Sequence, residues 1–239
     1  MLLAREDATP LLAVERLAGL QAQMARPPFV GLWTRLAGFR RDGLLAPLHR
    51  REIVRVTAMR ATLHLLTAAD YVALRGAFQP VLAKAMQSIL RARSAEVDLA
   101  RIEAEARSFF GEGAATFDAF RTHLKAKYPE GDERAMAYAI RTHLPLVQVP
   151  GEQAWGFPPA PEFALAEPWL KELKELKKQG KKIPMEPGPP HELVRRYLAA
   201  FGPATPGDAQ TWSGLSGLRE VFESLRPELV TFRDARKRE

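Results

Sequence analysis

The chain has 239 residues, 46% of them hydrophobic, which is enough to bury a substantial core, and its 35 Lys and Arg against 28 Asp and Glu give a formal charge of +7. No run of 18 or more uncharged apolar residues is present and the N-terminus turns acidic at Glu6-Asp7, so neither a membrane-spanning helix nor a secretory signal is expected and a soluble, cytoplasmic chain is. The absence of Cys excludes disulfides, thiolate nucleophiles and Cys-built zinc sites. The five His show no metal-ligand spacing, and Gly111-Glu112-Gly113 lacks the rest of a phosphate loop, so no metal or cofactor is expected.

A pI near 9.9 favours an anionic partner, either nucleic acid or an acidic membrane surface. Charge is uneven: residues 1–93 hold 14 Lys/Arg against 6 Asp/Glu for +8, residues 94–168 hold 7 against 12 for −5, and residues 169–239 hold 14 against 10 for +4. The phosphate-binding footprint therefore falls on the first third, at Arg35, Arg40, Arg41, Arg50, Arg51 and Arg55.

In chain order, Thr9-Pro10 predicts the start of a helix carrying Val14, Leu17, Leu20 and Met24 as a buried stripe, closed by Pro27-Pro28. A second helix is expected over 29–39, a turn at Arg41-Asp42-Gly43 and a short third helix over 44–50. Residues 53–65 change to β-favouring types around Arg55, Arg60 and His64 and read as a strand pair. Three short helices and a β-ribbon are the winged-helix order, with the third helix in the recognition position.

A long helix over 68–93 follows, and the order restarts. Thr116 caps a helix through Tyr128, Gly131-Asp132 turns, 133–143 forms another helix, and Leu146 to Val149 with Trp155-Gly156-Phe157 reads as a second ribbon. The alternating Lys and Glu of 171–182 mark a solvated helix face. Beyond the Pro-rich stretch 183–190, three helices are expected at 191–201, 205–214 and 216–225, with Leu229 to Phe232 opening a strand. The fold expected is mainly α with small β-ribbons, in tandem winged-helix units at 1–93, 94–182 and, in part, 183–239. Trp33, Trp155, Trp169 and Trp212 are assigned to the core.

Several segments resemble the winged-helix DNA glycosylases of the AlkZ and YcaQ type: Gly19-Leu20-Gln21-Ala22-Gln23, residues 31–39, Met59-Arg60-Ala61-Thr62-Leu63-His64-Leu65, and residues 202–208 with Trp212-Ser213-Gly214-Leu215. The resemblance implies three tandem winged helices on double-stranded DNA, a monomer associated with the bacterial nucleoid, and excision of N-alkylated bases, crosslinked ones included. It also implies a catalytic Gln-x-Gln, matched by Gln21 and Gln23, with Arg60, Thr62 and His64 as candidate pocket residues. Ala61 stands where the family more often has Gly.

Glutamine is neither acid nor base at neutral pH. An N7- or N3-alkylated purine, however, is already a cationic leaving group and needs no proton. The protein must then hold a water and stabilise an oxocarbenium-like sugar, which preorganised amides do. The first lysine is Lys84, so a lysine nucleophile is not expected near the pair and the reaction implied is a monofunctional hydrolysis. Residues two apart on a helix diverge by about 200°, so the two amides share a pocket only if the helix has ended and the segment is extended. The competing reading is a non-catalytic winged-helix DNA-binding module in which the pair is an ordinary polar helix end.

Overall fold

The structure, a computed structural model, describes residues 3–171, 183–233 and 235. Helix α1 (Pro10–Arg16) starts as its sequence predicts: the Thr9 hydroxyl accepts from the Leu12 N–H and Pro10 fills the first turn, where no N–H is needed. It stops well short of Leu20 and Met24. Gly19 N–H donates to Val14 O and Ala18 N–H to Glu15 O, the paired bonds of a left-handed helix end, with Ala18 at φ 51° and Gly19 at φ 97°. A side chain at residue 19 would strike Leu66, so glycine is required there.

Strand β1 (Leu20–Gln21) follows, and Pro27-Pro28 open helix α2 (Pro27–Trp33) instead of closing the one before. Residues 41–43 form the first turn of α3 (Arg41–His49), not a connecting turn, with Asp42 at the end that favours an acidic side chain. β2 (Ile53–Thr57) and β3 (Leu63–Thr67) form the expected ribbon around a 3-10 turn at Met59–Ala61. Helix α4 (Ala68–Ala92), capped by Thr67, runs beneath it.

The same order then recurs: α5 (Leu99–Gly111), β4 (Ala115–Thr116), α6 (Phe117–Lys127) capped by Thr116, α7 (Glu133–His143) capped by Asp132, β5 (Leu146–Gln148) and β6 (Glu162–Leu165). The second ribbon's return strand is residues 162–165, not Trp155 to Phe157. Those residues instead lie in a loop that packs Phe157 and Trp155 onto the first helical core. After α8 (Ala166–Leu170), the solvated helix expected over 171–182 lies outside the described residues except for Lys171. Helices α9 (His191–Phe201), α10 (Pro206–Ser213) and α11 (Leu218–Leu225) follow among the described residues. Residues 229–232 are not a strand: Leu229 packs on this last cluster while Val230 and Phe232 are exposed.

All six strands join one antiparallel sheet in the order β1-β3-β2-β5-β6-β4. In each set the first strand pairs with the last, and β2 meets β5 where Arg55 lies opposite Gln148. Alternation sorts the faces. Ile53 and Leu65 pack with Val14, Phe29, Leu32, Leu44 and Leu48, whereas Val54, Val56 and Leu66 pack on Tyr71, Leu74 and Phe78 of α4 together with Val147 and Ala164 from the second set. No helix among the described residues is long and apolar enough to cross a membrane.

Candidate active site

The termination of α1 at a left-handed turn decides the site, because it frees Leu20–Gln21 to form strand β1, with Ala22 and a bend at Gln23 directly after. Gln21 pairs with His64 across β1 and β3, Ala22 N–H donates to Leu63 O at 2.7 Å, and the Ala22 side chain is buried in the first core. Its two neighbours are exposed. With Ala22 turned inward, both amides stand on the opposite side, converging on residues 62–64.

Hydrogen bonds orient each amide. Leu63 N–H donates to Gln23 Oε1 at 3.1 Å, which turns the Gln23 Nε2 donors outward. Gln21 Nε2 donates to Thr62 Oγ1 at 3.5 Å, which leaves the Gln21 Oε1 acceptor outward. Thr62 Oγ1 in turn donates to Met59 O at 3.1 Å. One outward acceptor and one outward donor from a fixed strand edge are what is needed to hold a water by its hydrogen and its lone pair.

His64 is buried beneath them. Its Nδ1 lies 3.0 Å from Thr62 O, and since a carbonyl only accepts, Nδ1 carries the proton and Nε2 is left as an acceptor. Burial lowers its pKa to about 4, against the Thr62 bond and with a contribution from the Arg60 charge, so the ring is neutral at pH 7. Arg60 donates to Trp212 O of α10 and is held at φ 54°, tying the ribbon tip to the last helices. The site thus gathers Gln21, Gln23, Thr62 and His64, while Arg60 is engaged in holding the tip.

The six arginines expected to meet DNA divide. Arg40 is exposed with no ion-pair partner among the described residues, Arg41 stands 3.6 Å from Asp42, and Arg50 bonds Glu52 at 2.8 Å, all three at the ends of α3 and accessible. The other three are turned inward, where their charge is taken up by protein groups. Arg35 donates to Gly31 O at 2.8 Å and its Nε is buried without a partner. Arg51 donates to Trp169 O at 3.0 Å and lies over that indole. Arg55 is buried and stacked on Phe157.

Arg55, expected by its charge to meet phosphate, instead holds the backbone of the candidate site. Its Nε donates to Ala22 O at 2.9 Å and its Nη2 to Gln23 O at 3.1 Å, so one guanidinium clamps the backbone that carries the pair. Burial, with Arg141 nearby, lowers its pKa to about 10, leaving it charged at neutral pH. The cue lay in Ile53-Val54-Arg55-Val56, where an arginine interrupts a strand with two packed faces. Trp33 is also corrected: it is 52% exposed with the Arg5 guanidinium over its ring, whereas Trp155, Trp169 and Trp212 pack against the cores.

Residues 14–239 match the family of AlkZ-like DNA glycosylases. The chain belongs to that family. Its fold is also that of Streptomyces sahachiroi DNA glycosylase AlkZ, with a TM-score of 0.72 at 22% identity over 96% of this chain and 62% of that one. The chain thus spans less than two thirds of that relative's length. No curated protein matches it significantly. Ala61 is held in the left-handed region at φ 54°, where a glycine would sit without strain.

Proposed function

We propose that this chain is a DNA glycosylase that hydrolyses the N-glycosidic bond of N-alkylated, cationic purines in duplex DNA, with Gln21 and Gln23 as its catalytic residues. The observation that carries this reading is the paired orientation of the two amides, an acceptor from Gln21 and a donor from Gln23, on a strand edge fixed by the ribbon and by Arg55. A cationic base leaves without protonation, so the protein's work is to place a water and to shield positive charge developing at the sugar. The Gln23 Nε2 would hold the water oxygen, and the Gln21 Oε1 would accept its hydrogen and face the developing charge. Neutral His64 below, with Nε2 free to accept, adds no positive charge to a site that must stabilise a cation. The absence of a lysine before Lys84 supports hydrolysis that leaves an abasic site. Phosphates would be met by Arg40, Arg41 and Arg50 at the ends of α3.

Single-turnover release of N7-methylguanine from a duplex tests the proposal. Gln21→Ala and Gln23→Ala should each lower the rate by about 10²-fold or more while binding to undamaged duplex is kept. Gln23→Asp should retain measurable release, since a carboxylate, though it cannot donate to the water oxygen as the Gln23 amide would, can accept a hydrogen bond from the same water. Duplex binding without base release by the parent would leave a DNA-binding module instead.

A further inference from the structure

We infer that Met24 is a wedge that enters the base stack when the target nucleotide is drawn out to the glutamine pair. The inference rests on the glycosylase reading for where the DNA lies. Both amides are held against the ribbon, Gln21 at the Thr62 hydroxyl and Gln23 at the Leu63 N–H, so the sugar of a target nucleotide has to come to them. A stacked nucleotide reaches such an edge by leaving the helix, and the gap it leaves has an unstacking cost that an inserted apolar side chain offsets.

Met24 follows Gln23 directly and is 70% exposed. It projects from a loop anchored on both sides. Before it, Ala22 N–H is bound to Leu63 O and the carbonyls of Ala22 and Gln23 are bound to Arg55. After it, Ala25 packs against the first core and the Arg26 guanidinium lies over Trp155. Leu3, Val230 and Phe232 are exposed too but lie far from the pair in sequence, at residues 3 and 230–232, while Trp33 carries Arg5 on its ring and Phe201 stacks with Tyr197 and Trp212. An unbranched, flexible thioether is narrow enough to pass between base steps. Rigid support behind an uncovered apolar tip, one residue from the catalytic pair, is the arrangement a wedge requires.

The test uses the full chain and a duplex with one 2′-fluoro-stabilised N7-methylguanine beside 2-aminopurine, whose fluorescence rises when its stacking partner leaves. The parent and Met24→Leu should raise the fluorescence on binding, and Met24→Ala should not. In single-turnover release from the ordinary lesion paired with cytosine, Met24→Ala should be slower by about tenfold to hundredfold. It should be slower by less than about threefold when the lesion faces an abasic analogue, where stacking is already disrupted. An equal fluorescence rise in parent and Met24→Ala, or an equal rate loss on both substrates, overturns the wedge. The fluorescence arm needs no cutting. A rise that depends on Met24 without any base release supports insertion and removes the glycosylase reading alone.

Discussion

Acidification should destabilise the protein through His64, and the size of the effect can be worked from its surroundings. The ring is buried and neutral with a folded pKa near 4, against an ordinary value of 6.5. A group whose folded pKa is depressed binds more protons when unfolded, so between those values stability falls as pH falls. Each unit below 6.5 costs about 1.4 kcal/mol, so lowering pH from 7 to 5 should remove about 2 kcal/mol through this residue. Urea unfolding of the parent and of His64→Gln at both pH values isolates the effect, because the amide donates to Thr62 O but does not titrate. The parent's stability relative to the variant should drop by about 2 kcal/mol on going to pH 5. A difference that stays constant across that range would mean the ring is solvated or charged, and the tautomer that leaves Nε2 as an acceptor would fall with it.

Replacing the clamp, Arg55→Met should lower single-turnover base release by about 10²-fold through misplacement of the glutamines, with Arg55→Lys restoring only part because one ammonium cannot serve two carbonyls in the same geometry. Equal rates for all three proteins would mean that the loop holds itself. Ala61→Gly should stabilise by about 0.5–1 kcal/mol in urea unfolding, since relief of a left-handed alanine exceeds the added chain entropy; a loss of stability would show that the Ala61 methyl group packs better than its strain costs. Arg40→Ala with Arg41→Ala should reduce the log–log salt slope of duplex binding by roughly one unit per lost contact, whereas Arg51→Ala should leave the slope unchanged and lower stability instead.

The elements legible in the sequence were those with a local signature. Thr9-Pro10, Thr116 and Gly131-Asp132 each mark a helix start through a side chain that caps its own backbone, and the structure has helices there. The strand pair expected over 53–65 followed from β-branched and apolar residues, and its strands run over Ile53–Thr57 and Leu63–Thr67. What misled was periodicity without a stop: Leu20 and Met24 continue the spacing of Val14 and Leu17, but a helix end at Ala18-Gly19 depends on fit against Leu66, which is distant in sequence. Helix α5 is absent from the sequence reading although Ile102, Ala106 and Phe110 recur every four residues and are buried. For the site, the glutamine pair was legible only through the family motif. Arg55 reads as a phosphate contact by charge alone, and only the pairing of β2 in mid-sheet shows that its head group has nowhere to go but the carbonyls of the loop.

The sheet that unites the two helical sets ends on both sides in strands of two residues, Leu20–Gln21 and Ala115–Thr116. An edge this short presents almost no unpaired backbone to a second molecule, so the sheet has little capacity to recruit another chain by strand addition. At the β1 edge the chain turns at once into the bend that carries Gln23. The same brevity leaves that rim free of any strand of the chain's own among the described residues.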